Sequence, residues 1–254
     1  MLDIKPTEHL TGVTISGDYE TLYQLVEAMH NMTEMEEDYS DPYYGIQNQL
    51  LAICYDIRHA FMGDREVRIL DNGMTEDLMK YHGVIAPKQN VYYSVNVLFP
   101  LAIFVAESLP TICRYGRRYY RSKKSVEMDL PRPPYREYLR DKGLLENLRL
   151  GTFAAMAEVI GDDAAERIVR EVEEGFLYFN DYAIQYVDKC NVELLSAPME
   201  KRANKIKLIA NRLMKRPVAY QRMAAELMDA AKEYDCSIYQ LRPTTFDYPE
   251  TIEW

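Results

Sequence analysis

The 254-residue sequence contains four cysteines and a single tryptophan. Cys54, Cys113, Cys190 and Cys236 are far apart, with no C-x-x-C pair and no histidine at zinc-finger spacing, which argues against a disulfide scaffold and a zinc finger. They read as buried thiols of a cytoplasmic protein. Glycine and proline, 11 and 12 residues, are too scarce for a low-complexity chain. Neither G-x-x-x-x-G-K-[ST] nor G-x-G-x-x-G occurs, and H-E-x-x-H and the calcium-loop pattern are missing, so no nucleotide cofactor and no metal is expected. No apolar run reaches the roughly 20 residues that a membrane span needs. The uncharged stretch 89–106 is broken by Gln89, Asn90, Ser94, Asn96 and Pro100. The opening residues, MLDIKPTEHLTG, lack the apolar core of a signal peptide. A soluble protein without a membrane partner is the expectation.

Charge is plentiful and uneven. Lys plus Arg number 30 against 40 Asp plus Glu, a net of −10, which disfavours a surface coated for DNA. Residues 1–113 hold 6 basic and 17 acidic residues, and the remainder holds 24 and 23. All four histidines, His9, His30, His59 and His82, fall in the acidic half.

Periodicity predicts an α+β fold, with a small mixed or antiparallel sheet and helices in the first half and helices almost alone thereafter. Leu10–Ser16 is β-branched and ends at Gly17-Asp18, where Asp18 is placed to cap a helix over Tyr19–Met29. A second helix is expected over Tyr44–Met62, stopped by Gly63. Glu66–Leu70 alternates like a half-buried strand, and Val91–Leu98 reads as another. Pro100 suits the first turn of a helix reaching Tyr120, with Pro110 expected to kink or interrupt it. This gives an α+β region over residues 1–121, a proline-rich connector over 122–135 and a helical region over 136–254. In the last, Asp163 and Glu166 resemble a capping box before a stripe of Ile168, Val172, Phe176 and Phe179. Ser196 with Pro198 opens the next helix, and Pro217 separates it from another carrying Met223, Leu227 and Ala231 inward. Ser237–Leu241 is short enough to return to the sheet.

Three segments taken together, Leu10-Thr-Gly-Val-Thr-Ile-Ser-Gly-Asp18, Cys54-Tyr-Asp-Ile-Arg-His-Ala-Phe-Met-Gly-Asp-Arg65 and Asn90-Val-Tyr-Tyr-Ser-Val95, resemble an uncharacterised bacterial family, a domain of unknown function. The resemblance covers residues 10–110. It implies a bacterial cytosolic origin and no mechanism.

Two sets of residues carry chemistry. The sharper one is basic. Residues 114–124 contain Arg114, Arg117, Arg118, Arg121, Lys123 and Lys124 with Tyr115, Tyr119 and Tyr120 and no acid. Cations neutralise phosphates and tyrosine rings stack on bases, so the stretch suits an acidic protein or single-stranded nucleic acid. A helix C-terminus with its dipole satisfied is the plainer explanation. On the helix after Pro198, Lys201, Arg202, Lys205, Arg212, Lys215 and Arg216 gather opposite an apolar stripe, with no acid among them. The second set is Asp56, Arg58, His59 and Arg65. Asp56 and His59 share a helix face, so the carboxylate is placed to orient the imidazole as a base, while the arginines hold an anionic substrate. The first set predicts a non-enzymatic binding or regulatory protein, and the second an enzyme acting on a small anion. Self-association of the acidic half with a basic helix is the remaining expectation about partners.

Overall fold

The computed structural model describes residues 2–33, 38–121, 134–174, 179–243 and 246–254. In chain order the elements are β1 (Asp3–Pro6), β2 (Gly12–Gly17), α1 (Tyr19–Thr33), α2 (Tyr44–His59), a π-turn (Ala60–Asp64), β3 (Glu66–Asp71), α3 (Glu76–His82), β4 (Gln89–Leu98) and α4 (Phe99–Arg121). The second half comprises α5 (Tyr135–Ile160), α6 (Asp162–Glu174), α7 (Gln185–Leu195), α8 (Met199–Lys215), α9 (Val218–Glu233) and a 3₁₀ turn (Ile238–Gln240). The fold is therefore α+β, as the periodicity predicts. Among the described residues no helix is long and apolar enough to cross a membrane.

The strands form one antiparallel sheet in the order β1-β2-β4-β3. Ile15 pairs with Val95 and Val13 with Val97, and these four side chains are buried under the helices. Thr14 and Asn96 pair on the opposite face, where their side chains hydrogen-bond at 2.7 Å. Period-two alternation thus decides which face the helices cover. Asp18 caps α1 as expected, its Oδ1 accepting from the Thr21 N–H at 2.8 Å, and this bond holds its carboxyl below the usual range.

Helix α4 is the centre of the helical layer, with α1, α2, α5, α7 and α8 around it. Side chains from either side of residues 122–133 enter one cluster, from Ile4 and Ile15 through Phe104 to Ile206 and Leu227. Residues 122–133 of the expected connector lie outside the described residues, and the described elements on either side of them share this cluster. Helix α5 lies against β1, α1 and α4, joining the later helices to the sheet.

Several expectations need correction. β3 is not half-buried, because all six of its residues are exposed at the sheet edge. α4 runs through Pro110 as one continuous helix, although the proline has no N–H to donate to the Ala106 carbonyl. Leu10 lies in the β1–β2 turn with φ +54°, and α2 ends at His59, where the π-turn carries the chain to Gly63 at φ +89°. Ser196 closes α7, and Pro198 precedes α8. Gly161, not a capping box, serves α6: its carbonyl accepts from Ala164 and Ala165, while Glu166 pairs with Arg170. Phe179 is buried but lies beyond α6, and Phe176 is outside the described residues. Ser237–Leu241 never reaches the sheet. It makes a capped 3₁₀ turn whose Ser237 hydroxyl donates to the Tyr39 carbonyl at 2.9 Å.

Candidate functional site

The basic residues near the end of α4 are divided by their rings. Arg114 and Arg118 are exposed on the last turns, and Arg117 is half-buried. Arg118 sits 5.4 Å from the Tyr115 ring and Arg117 5.8 Å from that of Tyr135. Tyr115 packs on Tyr43 at 4.6 Å and donates to Asp41 Oδ2, while Tyr120 is buried and donates to Asp141 Oδ2 at 2.9 Å. These rings are consumed within the molecule. The side chains of Tyr119 and Arg121, and all of Lys123 and Lys124, lie outside the described residues.

On α8 the cationic face breaks into four groups. Arg202 is buried and structural, its Nε donating to the Ala197 carbonyl and its guanidinium to the His9 carbonyl at 2.7 Å. The expected absence of acids does not survive packing: Arg212 pairs with Glu193 of α7 at 2.5 Å and Lys215 with Glu171 of α6 at 2.8 Å. Arg216, in the left-handed conformation with φ +47°, closes the helix and lies 5.2 Å from the Tyr182 ring. Lys201 and Lys207 stay exposed and Lys205 half-buried, with no ion pair among the described residues.

Asp56 and His59 do not pair. His59 Nδ1 lies 2.8 Å from Asp64 Oδ2, and Arg65 donates to Asp56 Oδ1 at 3.0 Å. The π-turn folds Asp64 and Arg65 back over the end of α2, and each captures one member of the expected dyad. Arg58 leans on the Tyr55 ring at 5.5 Å. Asp56 and Arg65 nevertheless wall a small depression of about 310 Å³, together with Glu66, Ser94, Asn96 and Trp254. It opens where β4 runs on past the start of β3. Ser94, buried, donates to Glu66 Oε2 at 3.1 Å. Trp254 rests on Gly12, where a Cβ would come within 2.9 Å of the indole, and Thr11 donates to the Glu253 carbonyl to hold this last segment. No described group of three or more histidine, cysteine, aspartate or glutamate side chains is placed to bind a metal.

A larger cleft, of about 550 Å³, is lined by Lys189 of α7, by α9 and by Leu241, Arg242, Pro243 and Phe246. Lys189, Arg222 and Arg242 converge on it with one acid, Glu226, above a floor that includes Met223, Leu227 and Phe246. Arg222 and Arg242 are exposed and make no ion pair or hydrogen bond among the described residues. Asp188 lies close enough for Arg242 to oppose the upward shift that burial imposes on its carboxyl. Burial pushes the Cys190 thiol up to about 12, while the cations Arg212, Lys189 and Lys205 oppose the shift. None of Lys189, Arg222 and Arg242 stands out in the sequence. They come from three separate segments, and only folding brings them together.

No curated protein and no solved structure matches the chain. The resemblance seen over residues 10–110 extends much further: the model of one family matches residues 2–254, sheet and helical half alike. The chain belongs to this family, described as a domain of unknown function, DUF6904.

Proposed function

We propose that this is a non-enzymatic binding protein whose basic helices hold an acidic segment of a protein partner. One observation carries the reading: Lys189, Arg222 and Arg242 converge on a concave surface lined by a single acid, and among the described residues neither Arg222 nor Arg242 makes an ion pair, although Asp188 lies near Arg242. The volume, about 550 Å³, lies within the range of ligand clefts. Its apolar floor favours acidic segments that also carry leucine or phenylalanine. Single-stranded nucleic acid is the weaker candidate, since Tyr115 and Tyr120, which would stack on bases, are committed to Asp41 and Asp141.

The test is fluorescence anisotropy with a labelled glutamate-rich peptide containing leucine and phenylalanine, against oligothymidylate of equal charge. The peptide is expected to bind, more weakly as salt rises, with Arg222→Glu or Arg242→Glu costing at least about tenfold each because charge-assisted hydrogen bonds are lost. Preference for the oligonucleotide, or peptide affinity indifferent to both substitutions, overturns the reading.

A further inference from the structure

The helix-facing side of the sheet does not end where its helices end. Along β4, Val95 and Val97 are buried, and alternate residues share a face, so Tyr93 and Val91 continue the same row outward. Pairing adds Val67 opposite Tyr93 and Ile69 opposite Val91. These extend the core pattern into solvent: Val67 is 43%, Ile69 61% and Val91 39% exposed. Helix α3, which buries no side chain, and the turn after it also leave Tyr81 and Ile85 in solvent, the latter completely exposed. Leu78 and Val84 are exposed as well, so this edge of the sheet and the segment beyond it form a wing that leaves many large apolar side chains in solvent.

We infer that a second copy of this chain covers the wing, giving a two-fold symmetric dimer. Residues 64–91 hold four Lys/Arg and five Asp/Glu in a chain of net −10, so two copies meet here without the repulsion that the rest of the surface imposes. β3 is also a sheet edge with one row of backbone groups unpaired. Its sequence complements itself: antiparallel pairing about Val67 sets Glu66 of each copy opposite Arg68 of the other, repeating across the axis the 3.1 Å ion pair that each chain already makes. The inference is independent of the basic cleft.

Sedimentation equilibrium of the full chain at micromolar concentration tests it. The expected mass is twice 29.7 kDa, unchanged in high salt because the contact is mainly apolar. Ile69→Lys and Ile85→Asp replace exposed side chains, so circular dichroism and melting of the monomer are expected to stay as they are. Each substitution is expected to weaken the dimer at least about thirtyfold, as for a hot-spot side chain. Arg222→Glu, which removes a cation of the basic cleft, is expected to leave the mass unaltered. A monomeric wild type, a dimer that survives both wing substitutions, or a dimer broken by Arg222→Glu overturns the inference.

Discussion

Replacing Arg149 with methionine isolates the cost of one buried charge. Glu107 of α4 is 2% exposed, and its only ion pair among the described residues is with Arg149 of α5 at 3.4 Å. The same guanidinium reaches Glu146 and, on α6, Glu173, joining three helices. Burial pushes the Glu107 carboxyl above its usual 4.5, against the pull of Arg149. Without the guanidinium the carboxylate is left alone in the interior, and removing one member of such a pair costs about 3–5 kcal/mol. A carboxyl raised in the folded state supports folding fully below its unfolded value, and that support is lost as pH climbs through the folded one. The deficit of the variant is therefore expected to be greatest near pH 8 and to shrink toward about pH 5, as Glu107 takes up a proton. Urea unfolding of the wild type, Arg149→Met, Glu107→Gln and the double variant at both pH values measures this directly. The double variant is expected to recover most of the loss, since Glu146 and Glu173 keep water on 42% and 54% of their side chains. A loss below about 1 kcal/mol near pH 8, or one that does not change with pH, refutes the reasoning.

Three further outcomes are expected. Gly12→Ala places a Cβ 2.1 Å from the Val97 carbonyl oxygen and 2.9 Å from the Trp254 ring. It is expected to cost about 1–3 kcal/mol and to shift the emission of the lone tryptophan to the red, so an unchanged spectrum would disprove that seating. A thiol reagent near pH 8 is expected to label Cys236 first in the native protein. Cys54, Cys113 and Cys190 are buried, with thiols pushed up to about 12, and rapid labelling of any of them contradicts this. Asp56→Asn is expected to change stability by less than about 1 kcal/mol, because both partners in its bond to Arg65 are substantially solvated, and a greater loss in urea unfolding counts against it.

The sequence is most informative where a periodic pattern and its cap coincide. Asp18 with Leu22, Leu25 and Met29 announces α1, and Val91–Leu98 announces the strand the sheet is built on. β1 escapes notice because only Ile4 of its four residues is buried. β3 misleads because Val67 and Ile69 alternate as if covered, while covering is a property of neighbours that the chain itself does not supply. The polar residues were harder to place. Asp56 and His59 do share a helix neighbourhood, but the π-turn delivers Arg65 and Asp64 to them, and nothing in the spacing of Asp56 and His59 foretells that exchange. The acid-free face of α8 is real along the helix and disappears in three dimensions, because Glu171 and Glu193 come from other helices. The convergence of Lys189, Arg222 and Arg242 has no local signature at all.

The bond from Arg202 to the His9 carbonyl spans 193 residues, and β1 packs on α5. β1 meets β2 within a few residues of synthesis, but its contact with α5 and the tie from the β1–β2 turn to α8 must wait for those helices. At about 5–20 residues per second the His9 carbonyl waits on the order of 10–40 s for Arg202. Until α5 is made, Ile4, which seats against Gly151, is available to whatever chaperone is near. A ribosomal pause after α4 would lengthen the wait.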